Sequence, residues 1–323
     1  MDIVISTFSS QALLLGLVIL LKWLITRVTP LDSFQFFRLY CQQLALKVNK
    51  AQNTNTQRVI AGWLALLISF TTIIIIVWLF EDFIEVLWLW QALLLFLAID
   101  GFHLGRTGKK FAKTLVANDT YQAKQIIKPF LLRDCKQLSI MGLSKAFIEM
   151  QMLKTLQLLI MPCCLFLLSG PLAAFSYRLL LEMHYSWNTK CSHLIEFGKP
   201  IAFIINVLQW LPSKICSLLL LLLSFNSQTL LFWRLMKSDF FKLNNNMLLH
   251  CFALVNGVQL AGVAIYGNEK QLGEKLRRAA FNTKARQPQP SDIIHADNRI
   301  LMLLIFISIV IIGCAILSFL LSQ

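Results

Sequence analysis

The chain has 323 residues, 57% of them hydrophobic and 14% charged, with a net charge of +14. Soluble domains average about 25% charged residues, so the composition excludes an ordinary soluble domain and predicts an all-α, polytopic integral membrane protein lying in a lipid bilayer. The Lys and Arg excess comes without an aromatic-rich basic module and reads as loop charge, not as a nucleic-acid interface.

Crossing a bilayer takes roughly 20 apolar residues. The first run, 3–21, follows Asp2, has no basic residue ahead of it and no small-residue cleavage site behind it. A retained first span is expected there, not a secretory signal. A second span is predicted at 59–80 and a shorter third at 83–99, joined by the acidic turn Glu81-Asp82. Residues 100–155 are polar and basic, with short amphipathic helices and Asn118-Asp119 as a helix N-cap. Three more apolar runs follow at 156–177, 201–225 and 247–266, and each is interrupted: by Gly170-Pro171, by Pro212-Ser213-Lys214, and by the stretch VNGVQL. Irregular backbone at membrane depth persists only where protein or a wet cavity satisfies it. Broken helices around a buried site and ordinary kinked structural helices are both open readings. The segment 282–298 carries two prolines and reads as a loop before a last span at 300–321.

Charge gives an orientation. Residues 25–58 hold Arg27, Arg38, Lys47, Lys50 and Arg58 against the single acid Asp32, and 100–155 and 267–299 are also basic. These loops are placed in the cytoplasm and the N-terminus outside the inner membrane. Three regions result: a three-span part (1–99), a cytoplasmic helical part (100–155), and a C-terminal membrane part (156–323) with the cytoplasmic loop 267–299. An even number of crossings is then needed between 156 and 266, so one of its three apolar runs fails to cross or enters and returns. About six spans are expected in all.

The eight cysteines are scattered without a CxxC pair and read as small buried hydrophobes. His184 and His193 lack ligand spacing, and no metal site is expected from them.

Two stretches carry the chemistry. In VNGVQLAGVAIYGNEKQLGE (255–274), a continued helix puts Ala253, Gly257 and Ala261 on one face at small-xxx-small spacing, a surface for a partner helix. Gln259 falls on another side, where its amide needs either a neighbouring helix or a ligand. Tyr266 and Gly267 end the run, and Glu274 opens a charged turn. In LVANDTYQAKQIIKPFLLRDCKQL (115–138), Arg133 and Asp134 either pair with each other, grip a phosphate, or form a plain solvated helix end.

These stretches resemble the CobD/CbiB family, the adenosylcobinamide-phosphate synthases of cobalamin biosynthesis. The resemblance starts at LVANDTYQAKQIIKPFLLRD, meets the first acid of the family's acid-rich motif at Glu149, and continues through SGPLAAFSYRLL and LQWLPSKI. It closes on NGVQLAGVAIYGNEKQLGE and the loop QPQPSDI, covering 115–310. It implies an inner-membrane enzyme that joins a corrinoid acid, adenosylcobyric acid, to an aminopropanol phosphate by an amide bond, with ATP and Mg²⁺ as cofactors. On that resemblance Asp134 and Glu149 are the catalytic carboxylates, while Asn118, Asp119, Arg133, Asn244, Gln259, Tyr266 and Glu274 bind substrate or phosphate.

The chain also departs from the family pattern. The acid motif continues here with Leu153-Lys154 and Gln157, Leu181, His184 and Tyr185 replace polar family positions, and a paired Asp reads Ile205-Asn206. Losing carboxylates and gaining Lys154 disfavours Mg²⁺ at such a site. SGPLAAFSY and LQWLP are similar as well to AmpE-type inner-membrane proteins of β-lactamase signalling. A non-catalytic scaffold or signalling protein of the same fold is therefore the alternative.

Overall fold

A computed structural model of the protein describes residues 2–28, 32–50, 52–131, 135, 138–224, 240–266, 274–277 and 279–321; for 2–7, 263–266 and 274–277 the description is of backbone alone. The architecture is helical. In chain order the elements are α1 (Asp2–Val28), α2 (Gln35–Val48), α3 (Asn55–Glu81), α4 (Leu87–Ala98), α5 (Leu104–Val116), α6 (Thr120–Ile127), α7 (Ile140–Thr155), α8 (Met161–Ser169), α9 (Pro171–Ser186) and α10 (Lys199–Leu223). They continue with α11 (Asn246–Asn256), the strands β1 (Val263–Tyr266) and β2 (Glu274–Arg277), and α12 (Pro290–Leu321). Among the described residues, five runs are long and apolar enough to cross a membrane: Phe8–Val28, Asn55–Glu81, Ile140–Ser169, Lys199–Leu223 and Pro290–Leu321. Exposed leucines, isoleucines and tryptophans cover their outer faces, as lipid-facing helices require.

Local signals set the helix starts. Thr54 and Gln57 form a reciprocal capping box at the head of α3, satisfying two amides that a helix start leaves unpaired. Asp119 caps α6 by accepting from Gln122 N at 2.9 Å, as its place in the sequence predicts. Ser139 does the same for α7 through Gly142 N at 3.3 Å.

The chain forms two compact units whose segments interleave: 1–102, 157–205 and 306–323 in one, 103–156 and 206–305 in the other. In the first, Leu15, Val18, Leu95, Ile99, Phe166 and Ala174 join α1, α4, α8 and α9 in one apolar cluster. Phe34, Leu94, Phe175 and Leu179 make a second, against partly buried residues of α2 and α3. Trp187 is fully buried, lies edge-on to Phe197 with centroids 5.0 Å apart, and donates its indole N–H to Cys41 O at 2.9 Å. Burial, reinforced by the Glu182 charge, pushes the Cys41 thiol up to about 12, which keeps it an inert core residue. In the second unit Phe111 stacks on Phe147 with centroids 4.8 Å apart.

Four features differ from the sequence expectations. The helix of residue 140 does not stop near 155: a π turn over Leu156–Ile160 carries it into α8, so the polar-to-apolar boundary lies within one continuous helix. It breaks at Gly170, whose φ of 84° suits glycine. The run 247–266 is not one helix. α11 ends at Asn256, and Gly257 takes the left-handed C-cap conformation, φ 62° and ψ 30°. Ala253, Gly257 and Ala261 therefore do not share a helix face, and the packing surface predicted from them is absent. The β-branched and aromatic VAIY segment instead pairs antiparallel with Glu274–Arg277. Finally, α12 starts ten residues before the apolar run, at Pro290, where the fixed φ of proline favours a first helical turn.

Two glycines hold backbone contacts that no side chain fits. A Cβ at Gly62 would stand 2.2 Å from Phe197 O, and one at Gly198 would stand 2.0 Å from Trp187 O. Gly62→Ala and Gly198→Ala are each expected to cost about 2 kcal/mol or more of stability through overpacking, read as thermal unfolding in detergent. Gly313→Ala, with nothing within 4 Å of its Cβ position, is the control and is expected to leave the melting temperature unchanged or slightly raised.

Candidate functional site

The second unit sets one of the sequence-predicted stretches against a buried carboxylate. Glu149 lies on α7, only 6% exposed, and its Oε1 accepts from Ala261 N at 2.7 Å. Ala261 has φ 59°, a left-handed conformation uncommon for a residue with a Cβ. The backbone amides from 257 to 261 are all paired. Gly257 N donates to Leu254 O and Val258 N to Ala253 O, both at 3.1 Å, Gln259 N to Arg286 O at 2.9 Å, and Leu260 N to Phe281 O at 3.2 Å. Glu149 supplies the acceptor for the fifth. Buried amides need such partners, and here a charged one is used, which makes for a stronger bond.

The side chain of Gln259 accepts from Gln287 Nε2, so the amide sought in the sequence pairs with another amide. The segment 279–290 that flanks this loop is itself tied to α12. Arg286 makes two hydrogen bonds to Asp292, at 2.7 and 2.6 Å, and Gln289 N donates to the same carboxylate at 2.7 Å. Asp292 is 2% exposed. Farther along α12, Asp297 Oδ1 accepts from Gln151 Nε2 at 2.6 Å, two residues beyond Glu149 on α7.

The other predicted residues fall as follows. Asn118, with φ 58°, and Asp119 build the corner between α5 and α6. Asn244 Oδ1 accepts from Asn246 N at 3.1 Å and shapes the turn into α11. Tyr266 and Glu274 face each other as Cα partners across the β1–β2 pair. Arg133 and Asp134 lie outside the described residues. The structure thus brings Glu149 and the Gln259 loop together, and sets Tyr266 beside Glu274 in backbone register.

Sequence reasoning missed a second polar centre, in the first unit. Arg178 and Glu182 lie one turn apart on α9, 4% and 1% exposed, with Nη2 2.8 Å from Glu182 Oε1 and 3.4 Å from Asp100 Oδ2. Glu182 Oε2 also accepts from Arg38 Nη1 of α2 at 3.0 Å, and Arg38 pairs in addition with Asp32. Lys22, 2% exposed, donates to Phe96 O at 2.9 Å and sits 4.1 Å from the Phe96 ring centroid. Arg178 Nε and Nη1 are buried without acceptors; its guanidinium lies 5.0 Å from the Phe34 ring centroid, which offsets part of that deficit. The signal was present in the sequence: single charges within apolar runs, two of them at i,i+4 spacing.

The described carboxylates do not fit a resident divalent metal. Among the described residues, no group of three His, Cys, Asp or Glu gathers. Glu149 commits an oxygen to a backbone amide. Gln157, at a position where the resembled motif carries an acid, accepts from Tyr185 OH at 2.8 Å. The arrangement can instead hold a shaped loop rigid, presenting the paired amides of Gln259 and Gln287.

A family model described as CobD/Cbib protein matches residues 16–298. A protein of Stutzerimonas stutzeri named cobalamin biosynthesis protein CobD is 25% identical over 222 residues, 69% of this chain and 71% of that protein. A protein of the same name from Chromobacterium violaceum is 26% identical over 173 residues, 54% of this chain and 55% of that protein. No solved structure matches.

Two expectations follow. Glu149→Ala leaves the Ala261 amide without its acceptor and is expected to cost about 2 kcal/mol. Glu149→Gln, which keeps an acceptor, costs less, and Ala261→Gly relieves the left-handed alanine and raises stability by up to about 1 kcal/mol. Denaturation in detergent and amide exchange at 257–262 report both. In the other centre, Arg178→Met takes from the buried Glu182 one of its two cationic partners, Arg38 remaining, and is expected to cost about 3 kcal/mol, with the melting temperature as the measure.

Proposed function

The chain belongs to the CobD/CbiB family and is a cobalamin-biosynthesis protein, and on that footing we propose that it acts at the amide-forming step, joining adenosylcobyric acid to an aminopropanol phosphate at the expense of ATP. The observation that supports this reading is the meeting of Glu149 with the loop 257–262: two segments that carry the resemblance, more than a hundred residues apart, are tied to each other through a part-buried hydrogen bond to a carboxylate. In this reading the loop and the segment 279–290 cradle the polar edge of the corrinoid, Gln259 offering its amide to the substrate once Gln287 is displaced. Arg133 meets a phosphate, with Asn118, Asp119, Asn244, Tyr266 and Glu274 lining the approach. ATP enters as a substrate together with Mg²⁺. Asp134 and Glu149 are the carboxylates assigned to the chemistry, Glu149 by holding the loop in shape. The basic stretches 25–58 and 267–299 face the cytoplasm and the N-terminus lies outside.

One observation favours a second reading, a membrane scaffold of the same fold without catalysis. The neutral Gln157–Tyr185 pair and Lys154 stand where the resembled motif has polar and acidic groups. Complementation separates the two. A bacterial strain lacking its own synthase, supplied with cobyric acid and expressing this chain, is expected to make cobalamin, and the Glu149→Ala variant to make at least tenfold less, roughly the rate loss of a 1.4 kcal/mol barrier increase. Correct insertion without any cobalamin production supports the scaffold.

A further inference from the structure

α5 divides into two opposite faces. Leu104, Gly108, Phe111, Ala112 and Leu115 are buried. Across the helix from them stand Arg106, Lys109, Lys110 and Lys113, all exposed, and their spacing of three, four and seven residues makes one continuous row. The stretch 101–118 carries no acid, and Asp119, the first that follows, is engaged in capping α6. Lys109 shares its charge with Asp297 of α12, while Lys110 and Lys113 extend the row toward its C-terminal end.

The contacts of the buried face fix the height of this row. A Cβ on Gly108 would stand 3.1 Å from the Phe147 ring of α7 and 3.7 Å from Ile293 of α12, and one on Gly105 would stand 3.1 Å from Asp297 Oδ1. Phe147 lies midway along α7, and Ile293 and Asp297 lie on the flank of α12, so α5 rests against the sides of both helices and its cations point away sideways. Gln151 of α7 and Asp297 of α12 are hydrogen-bonded at 2.6 Å, which sets the two helices level. Phe147 and Ile293 come one turn before that bond, Lys154 and Arg299 just after it. These are the last charges of the two runs, since 155–169 and 300–321 hold none. The hydrocarbon therefore begins within about one turn, 5.4 Å, of the Gly105 end of α5, and the headgroup layer over it is about 5–7 Å deep. The row itself is about 10 Å long, close to the ~8 Å Debye length of physiological salt.

We propose that the cationic row of α5, from Arg106 to Lys113, is a docking surface for the anionic phospholipid headgroups of the bilayer the protein spans. A row of cations on a convex helix cannot close around a soluble phosphate. A leaflet presents its phosphates as a sheet, at the height where the row lies, and supplies the negative charge that 101–118 lacks. The apolar side of α5 stays within the protein, so the docking is electrostatic and inserts nothing among the acyl chains. It does not depend on the catalytic reading.

The test uses the full chain in liposomes that carry a phospholipid with a photoactivatable group near its glycerol backbone, and adducts are mapped by mass spectrometry. Phosphatidylglycerol of this kind is expected to label 104–116 at least about fivefold more than the matching phosphatidylcholine at equal mole fraction, each cation near an anionic surface being worth about that factor. The apolar part of α12, 300–321, is labelled equally by both. The double variant Lys110→Gln, Lys113→Gln is expected to remove most of the preference and to leave the labelling of 300–321 unchanged, which shows that the protein is inserted. High salt is expected to act in the same direction. Equal labelling of 104–116 by the two probes, or a preference that survives the double variant, would overturn the proposal. So would its loss to millimolar tripolyphosphate at matched ionic strength, which would mark a site for a soluble phosphate.

Discussion

The hydrogen bond from Ala261 N to the buried Glu149 carboxylate is the constraint on which the candidate site rests. A helix that stops inside an apolar protein leaves its last carbonyls, and the amides of the irregular chain that follows, to find partners without water. α11 stops in this way, at Gly257. The chain beyond it settles its amides one by one, on α11 itself, on 281 and 286, and last on α7 through Glu149. Because 286 is in turn clamped to Asp292 at the first turn of α12, a single carboxylate on α7 connects the loop to a chain of contacts ending on the C-terminal helix. The left-handed Ala261 is tolerated where so much surrounding structure determines its conformation.

The two polar centres follow different physics. Around Glu149 the buried charge serves the backbone. Around Arg178 charges serve each other: Glu182 divides its two oxygens between Arg178 and Arg38, and Asp100 turns one oxygen to Gly101 N and the other to Arg178. Buried ion pairs return little net stability over apolar packing. Their effect here is geometric, because Arg38 can reach Glu182 from only one rotational setting of α2.

Much of the fold was legible in the amino-acid order because lipid imposes simple rules. Long apolar runs had to be helices, and Asp119 marked a helix start by ordinary capping chemistry. The stop of α11 was harder to see. Val255 to Tyr266 is apolar enough to continue a helix, and the decision falls to Gly257 together with acceptors supplied from 281, 286 and 149, none of them near in sequence. The early start of α12 was hidden for a related reason: Pro290 and Asp292 look like loop residues until Arg286 and the Gln289 amide converge on that carboxylate. At the candidate site, the family resemblance picked out Glu149 and Gln259 but not their partners. The Arg178 centre escaped notice because its members come from four separate segments, each contributing one or two charges that look incidental alone.

The segment 187–198 illustrates what tertiary packing does to a connection that is irregular for most of its length. Trp187 is locked under the carbonyl of Cys41, Asn49 Nδ2 donates to His193 O at 2.7 Å, and Gly198 admits no side chain. The connection between α9 and α10 is therefore tucked against α2 and works as a wedge, not as a free tether. A reporter domain or epitope spliced into it for topology mapping would have to pry α2 from its seat, and would describe a distorted molecule.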